Sequence, residues 1–315
     1  MTAHRNFKQR VRARAAKTGE SYTAALRHFR PTPTGEPDMP ENLRIAVTQS
    51  TVREDPTDAA LLRTSGDEVR RLMREAAAAG ARLVHFTEGA ICFPSKRVMS
   101  SLGPDQIGPS DWTKADWAAL QAELDQIAAL SRELGLWTVI PSVHRVADGR
   151  PYNSMYVVSD RGRVVARYDE RALSTTKATW MYAAGNEPVT FEVDGVRFGL
   201  ALGLDVLFPE FFTEYDRLGA DVVLVSYASN GVGRNENIGV QVRGASANNT
   251  SWVSLAASAN PEAALLSGVS DPGGQWLVQC APDATPSVAV AELTALELTT
   301  IGRDFRRRTR ERIGS

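Results

Sequence analysis

Cysteine and histidine are scarce in this 315-residue chain: it has Cys92 and Cys280, and His4, His28, His85 and His144. Two cysteines cannot build a disulfide framework or a four-cysteine zinc site, and they fit a reducing, cytoplasmic setting. The histidines lack metal-ligand spacing, so no metal is expected. No apolar run approaches about 18 residues, which argues against a membrane-spanning helix. Residues 1–30 carry charges throughout and no apolar stretch before a small-residue cleavage site, so a secretory leader is not expected. A phosphate-cradling loop is missing too, because Gly231 and Gly233 lack the lysine such a loop needs. No Gly-x-Ser-x-Gly elbow occurs. What remains, 43% hydrophobic and 23% charged, is the composition of a globular chain.

The net charge of -1 hides an asymmetry. Residues 1–30 carry eight Lys/Arg against Glu20 alone, and residues 301–315 carry six Arg against Asp304 and Glu311. The body between is therefore acidic. Basic ends can bind nucleic acid or an anionic surface. Without interleaved aromatics or a known nucleic-acid module, the favoured reading is a solubilising arm, or one that docks on the acidic body.

Residues 5–30 have the spacing of two short helices broken near Thr18-Gly19. Pro31, Pro33, Gly35, Pro37 and Pro40 follow as a linker. The expected organisation is a basic helical arm and linker over 1–41, one domain over 42–300, and an Arg-rich tail over 301–315. Within the domain, 44–49 reads as a buried strand. Ser65 and Glu68 have capping-box spacing ahead of Val69, Leu72, Met73, Ala76 and Ala77, with Gly80 as a stop. Residues 82–88 read as a strand, 113–134 as a helix stopped by Gly135, and 136–143 as a strand. Hairpins are expected across Arg161-Gly162 and Asp194-Gly195. Strands at 220–227 and 251–257 flank a helix at 236–248. Strands alternate with helices early and form hairpins later, which implies an α/β sandwich with helices outside. No internal repeat is visible.

Three segments in order carry a family likeness. "LVHFTEGA" is a strand ending in Glu88. "ARYDERALSTTKATWMYAAGNEPVTFEVDGVRFGLAL" holds Tyr168, Leu173, an aromatic cluster and Gly185. "FGLALGLDVLFPEFF" holds Asp205, Phe208, Pro209 and Glu210. Across about residues 42–295 the chain resembles the carbon–nitrogen hydrolase (nitrilase and aliphatic amidase) superfamily. The resemblance implies an αββα sandwich that forms dimers or higher even-numbered oligomers. It implies hydrolysis of small amides, nitriles or carbamoyl compounds without a cofactor. It also implies a glutamate base, a lysine for the oxyanion, a cysteine nucleophile and a second, supporting glutamate. An amide carbonyl needs such a division of labour between nucleophile, base and cation.

Residue by residue, Glu88 matches the base. In the Tyr-x-Lys-x-x-Leu pattern the lysine position holds Glu170. The supporting glutamate, four residues after Leu173, is Lys177. The cysteine, two residues before Asp205 and six before Pro209, is Gly203. The nucleophile is thus absent, and the lysine and second glutamate are exchanged. If Glu170 and Lys177 face each other, the pocket keeps its charge balance.

The leading expectation is a small-molecule pocket around Glu88, Glu170, Lys177 and the space left at Gly203. It would serve a binder or oligomeric partner that has lost thiol-dependent hydrolysis. The alternative is a repurposed enzyme with Glu88 as base and Lys177 as electrophile. A third reading is a site inactivated on purpose. Cys92 reads as a relocated nucleophile or as inert filler, and Asp205 as a water activator or a turn-fixing acid. Phe93, Trp180 and Tyr182 read as pocket lining or core, and Ser226 and Ser229 as pocket edge.

Overall fold

A computed structural model describes residues 42–229, 235–283, 285–294 and 296–313. Every described residue lies in one compact unit, Met39–Ser315. The arm and linker over 1–41, with their two expected helices, lie outside the described residues.

Alternation writes the strands. In β1 (Asn42–Gln49), Leu43, Ile45 and Val47 face one way and Ala46 the other. β2 (Leu83–His85) and β3 (Trp137–His144) run parallel to it. β4 (Tyr152–Val158) and β5 (Val164–Asp169) continue antiparallel. A second sheet is laid down by β6 (Thr190–Val193), β7 (Val196–Leu202), β8 (Val222–Tyr227), β9 (Trp252–Ala257), β10 (Gly268–Ser270) and β11 (Trp276–Gln279). β12 (Ser287–Thr294) returns to the first sheet and pairs antiparallel with β1. The orders are β12-β1-β2-β3-β4-β5 and β11-β10-β9-β8-β7-β6.

Each sheet holds three parallel strands flanked by antiparallel ones: β1, β2 and β3 in the first, β7, β8 and β9 in the second. The two halves therefore share one plan, a repeat of architecture that the sequence does not display. Their apolar inner faces pack on each other, Ile45, Val47 and Val139 against Phe198, Leu200 and Leu224. Helices α1 (Ala59–Ala78) and α2 (Trp117–Leu134) cover the first sheet. Helices α3 (Pro209–Arg217) and α4 (Glu236–Asn249) cover the second. The layers are helix, sheet, sheet, helix: the expected αββα sandwich. At the carboxyl ends of the parallel strands the sheets are tied by a Ser50–Ser258 bridge.

Two expectations change. α1 starts at Ala59, where the Asp58 carboxylate accepts from the Ala60 and Leu61 amides. Ser65 is therefore inside the helix, and Glu68 accepts instead from the Thr51 amide at 2.7 Å. Gly66 sits mid-helix because a Cβ there would stand 1.7 Å from Glu123 Oε2 of α2. The Arg-rich tail expected over 301–315 belongs to a helix that begins earlier, α5 (Leu296–Ile313), from which Arg310 reaches buried Asp216 at 2.5 Å. No helix of the described residues is long and apolar enough to cross a membrane.

Candidate functional site

The carboxyl ends of the parallel strands bring the site together. After β2, Thr87 donates to the Tyr227 carbonyl at 2.7 Å, which fixes the chain just before Glu88. At the end of β5 the Glu170 amide donates to Asn153 O of β4 at 2.8 Å. Residues 171–176 then loop back to Lys177, the first residue of a single π-turn over Lys177–Met181. Gly203 follows β7 and opens a short 3-10 turn, Gly203–Leu207.

Glu88, Glu170 and Lys177 meet in the interior. Lys177 Nζ donates to Glu88 Oε1 at 2.6 Å and to Glu170 Oε2 at 2.7 Å. Asn153 Nδ2 donates to the same two carboxylates, at 2.8 and 2.6 Å. The remaining oxygens accept backbone amides: Ala228 N to Glu88 Oε2 at 3.0 Å, and Leu204 N to Glu170 Oε1 at 3.3 Å. Glu88 and Glu170 are buried, and Lys177 is 7% exposed. The phenyl ring of Phe93 lies 5.6 Å from Nζ. Asn153 carried no signal in the sequence beyond being a polar residue at the start of a strand. Its role depends on the β4–β5 pairing, which sets it beside Glu170.

Burial pushes the Glu170 carboxyl up to about 7, and the nearby Lys177 ammonium offsets only part of that effect. Burial alone would depress the Lys177 ammonium, but the two carboxylates outweigh it and hold the group above its ordinary value. Between about pH 4.5 and 7 the folded chain therefore keeps a proton on Glu170 that the unfolded chain has released. Stability from this group is present below 4.5 and is lost as pH rises through 7. Glu170→Gln is expected to remove that slope. Urea midpoints at pH 5 and pH 8 should then show the parent losing at least about 1.4 kcal/mol more than the variant. Equal slopes in both proteins would refute the assignment.

Gly203 has φ +59°, in the left-handed region. A Cβ there would stand 2.3 Å from Glu170 Oε1 and 3.3 Å from Glu88 Oε1. The space expected at Gly203 is thus occupied by the Glu170 carboxylate, which fits only because no side chain projects from 203. Between the two carboxylates, where a cation would otherwise be held, stands Lys177 Nζ. No group of three or more His, Cys, Asp or Glu suited to a metal ion occurs among the described residues.

The other candidate residues divide. Phe93 and Tyr182 join the cluster, since Tyr182 is buried where Glu88 and Glu170 both act on its hydroxyl, and burial holds that hydroxyl protonated. Trp180 does not join: it is 38% exposed. The π-turn closes from the Tyr182 amide to Lys177 O, so Met181 faces inward and Trp180 outward. Asp205 fixes the frame. It accepts from Tyr168 Oη at 2.7 Å and from the Leu202, Arg171 and Ala172 amides, which leaves it no capacity for a ligand. Ser226 is spent between the sheets, donating to Phe86 O at 2.7 Å beside His85. Ser229 lies at the end of β8, where its amide donates to Ser258 Oγ. Cys92 is buried in the core between the first sheet and its helices, and burial pushes its thiol far up. It is filler rather than a thiolate. Two cavities, of about 540 and 280 Å³, lie elsewhere.

Fold and site together define an αββα protein with a glutamate–lysine–glutamate cluster at the carboxyl ends of its parallel strands. The carbon–nitrogen hydrolase family model matches residues 45–301, and the chain belongs to that family. Hydrolase Rv0480c of Mycobacterium tuberculosis is 28% identical over 228 residues, 70% of this chain and 73% of its own. The 2-oxoglutaramate amidase of Bacillus subtilis is 29% identical over 125 residues, 39% of this chain and 47% of its own. Among solved structures, a nitrilase-superfamily amidase from Nesterenkonia AN1 superimposes with a TM-score of 0.67 at 20% identity. The match covers 87% of this chain and 99% of that one. That structure is of a cysteine-to-alanine mutant; a glutamate-to-glutamine mutant of the same amidase shows covalent addition of the acetamide moiety of fluoroacetamide at the active site cysteine.

Proposed function

We propose that this protein is a carbon–nitrogen hydrolase family member without thiol-dependent hydrolysis, acting as a small-molecule binder or as an oligomeric partner on the family's frame. The observation that carries the proposal is the Glu170 carboxylate lying where the Cβ of a nucleophile at position 203 would have to be. Removing an attacking residue costs on the order of 10⁶-fold in rate in a well-studied hydrolase. Here the position is not merely emptied but refilled. The alternative of an enzyme with Lys177 as electrophile is less favoured, because the Lys177 ammonium already sits between two carboxylates. An even-numbered oligomer belongs to the same proposal. It is supported by apolar Leu207, Phe208 and Val240, which stand exposed on or beside α3 and α4.

The test is ammonia release from a panel that includes 2-oxoglutaramate, butyramide, fluoroacetamide, simple nitriles and carbamoyl compounds. The unmodified protein is expected to match the blank. The triple change Gly203→Cys, Glu170→Lys, Lys177→Glu is expected to turn over at least one amide. Turnover by the unmodified protein that disappears in Glu88→Gln would overturn the proposal.

A further inference from the structure

The cavity of about 280 Å³ lies on the outer face of the first sheet, beside α2 and the end of β3. Its apolar wall is Trp117, Leu120 and Leu124, and its polar side is Ser142, Arg145 and Tyr156. It is separate from the Glu88 cluster. Trp112 stands between, its ring 5.8 Å from Trp117 and 5.4 Å from Tyr182.

A short chain of hydrogen bonds fixes what this cavity offers. Arg167 holds Asp169 through two bonds of 3.0 Å, and Ser154 donates to the same carboxylate. The third nitrogen of Arg167, Nη1, donates to His144 Nε2. A guanidinium can only donate, so Nε2 is the acceptor and the imidazole hydrogen sits on Nδ1. The ring is neutral: burial and the Arg167 charge both depress its titration. Nδ1–H therefore donates to Tyr156 Oη, 2.7 Å away. The phenol cannot return its own hydrogen to that nitrogen. Burial pushes the phenol up to about 12, so the hydrogen stays in place, with no acceptor for it among the described residues.

Ser142, paired through its backbone with Ser154 of β4, is buried at the same wall and turns its side chain into the cavity lining. Arg145 stacks over Trp117 at 5.5 Å and is paired with no carboxylate among the described residues. The only nearby carboxylate in this network, Asp169, is consumed by Arg167 and Ser154. The cavity thus presents donors and a positive charge on one side, an aromatic and aliphatic wall on the other, and no competing anion.

We propose that this cavity is a second binding site, for a small carboxylate that carries a planar apolar group. The carboxylate would accept from Tyr156 Oη, Ser142 Oγ and the Arg145 guanidinium, and the planar group would lie along Trp117, Leu120 and Leu124. A cavity of this volume stands near the lower end of the range for small-molecule sites.

Calorimetric titration of the full chain with benzoate tests the assignment, with benzamide and inorganic phosphate as comparison arms. One saturable benzoate site per chain is expected. Tyr156→Phe and Arg145→Ala should each weaken it about tenfold, the size of one lost hydrogen bond to a charged group. The thermal midpoint of Arg145→Ala should stay within a degree or so of the parent, since Arg145 is exposed, whereas Tyr156→Phe should lower it by roughly 2–6 °C, since it leaves the His144 Nδ1–H without its acceptor. Benzamide should bind at least about tenfold more weakly, and phosphate should not displace benzoate. The proposal is overturned if benzoate shows no saturable site or if neither variant weakens it. It is also overturned if benzamide equals benzoate, or if phosphate competes at a similar concentration.

Discussion

Lys177→Met is expected to lower thermal stability by about 3–5 kcal/mol, because it leaves two buried carboxylates facing each other without their cation. For a domain of this size that is a fall of roughly 10 °C in the midpoint. Methionine nearly preserves the volume, so cavity formation contributes little, and the effect reads the charge. Two controls follow from the geometry. Adding Glu170→Gln removes one of the facing carboxylates and should recover much of the loss. Working at pH 5 should also shrink the deficit, since Glu170 then takes a proton of its own. A loss below about 1 kcal/mol at pH 8 would mean that the cluster behaves like a solvated surface pair, contrary to its burial.

The second large effect is expected at position 203. Gly203→Ala should cost roughly 3 kcal/mol, from a left-handed backbone conformation that disfavours any Cβ and from overlap with Glu170 Oε1. The two sources separate in a double-mutant cycle. Glu170→Ala vacates the overlap but leaves the backbone cost, so the pair should couple by more than about 1 kcal/mol. Urea unfolding of the four proteins measures this. Additive behaviour would show that Glu170 is free to swing away and that the nucleophile's place has not been refilled. For the same reason Gly203→Cys alone should restore no ammonia release, whereas the triple change makes room.

The sequence made some of these features legible and hid others, for identifiable reasons. β1, β7 and the Asp194-Gly195 hairpin were readable because alternation and turn chemistry are local. Asp194 and Gly195 both have positive φ, as that turn requires. The start of α1 is hidden because Ser65 and Glu68 match a capping pattern by spacing alone, whereas Asp58 does the capping and Glu68 serves the 51–53 segment. Strands β10 to β12 carry little local signal because two of them are short and the third is defined by a partner more than two hundred residues away. In the site, Glu88, Glu170, Lys177 and Gly203 could be located because three ordered segments of a family pattern anchor them. Asn153 could not, since only strand register sets it between the two carboxylates. Trp180, readable from sequence as pocket lining or core, instead points outward because a π-turn shifts the periodicity by one residue.

Glu88 takes one bond from the far side of the sandwich: Oε1 is held by Asn153 of the first sheet and by Lys177 of the π-turn that follows β5, and Oε2 by the Ala228 amide just past β8 in the second. The apolar faces between the sheets attract without much direction, and packing alone would tolerate some slippage. A buried anion that needs donors from both sides does not. Glu88 therefore works as an alignment pin, setting where one half of the molecule stops relative to the other. That duty can maintain a glutamate at this place whether or not any substrate ever meets it.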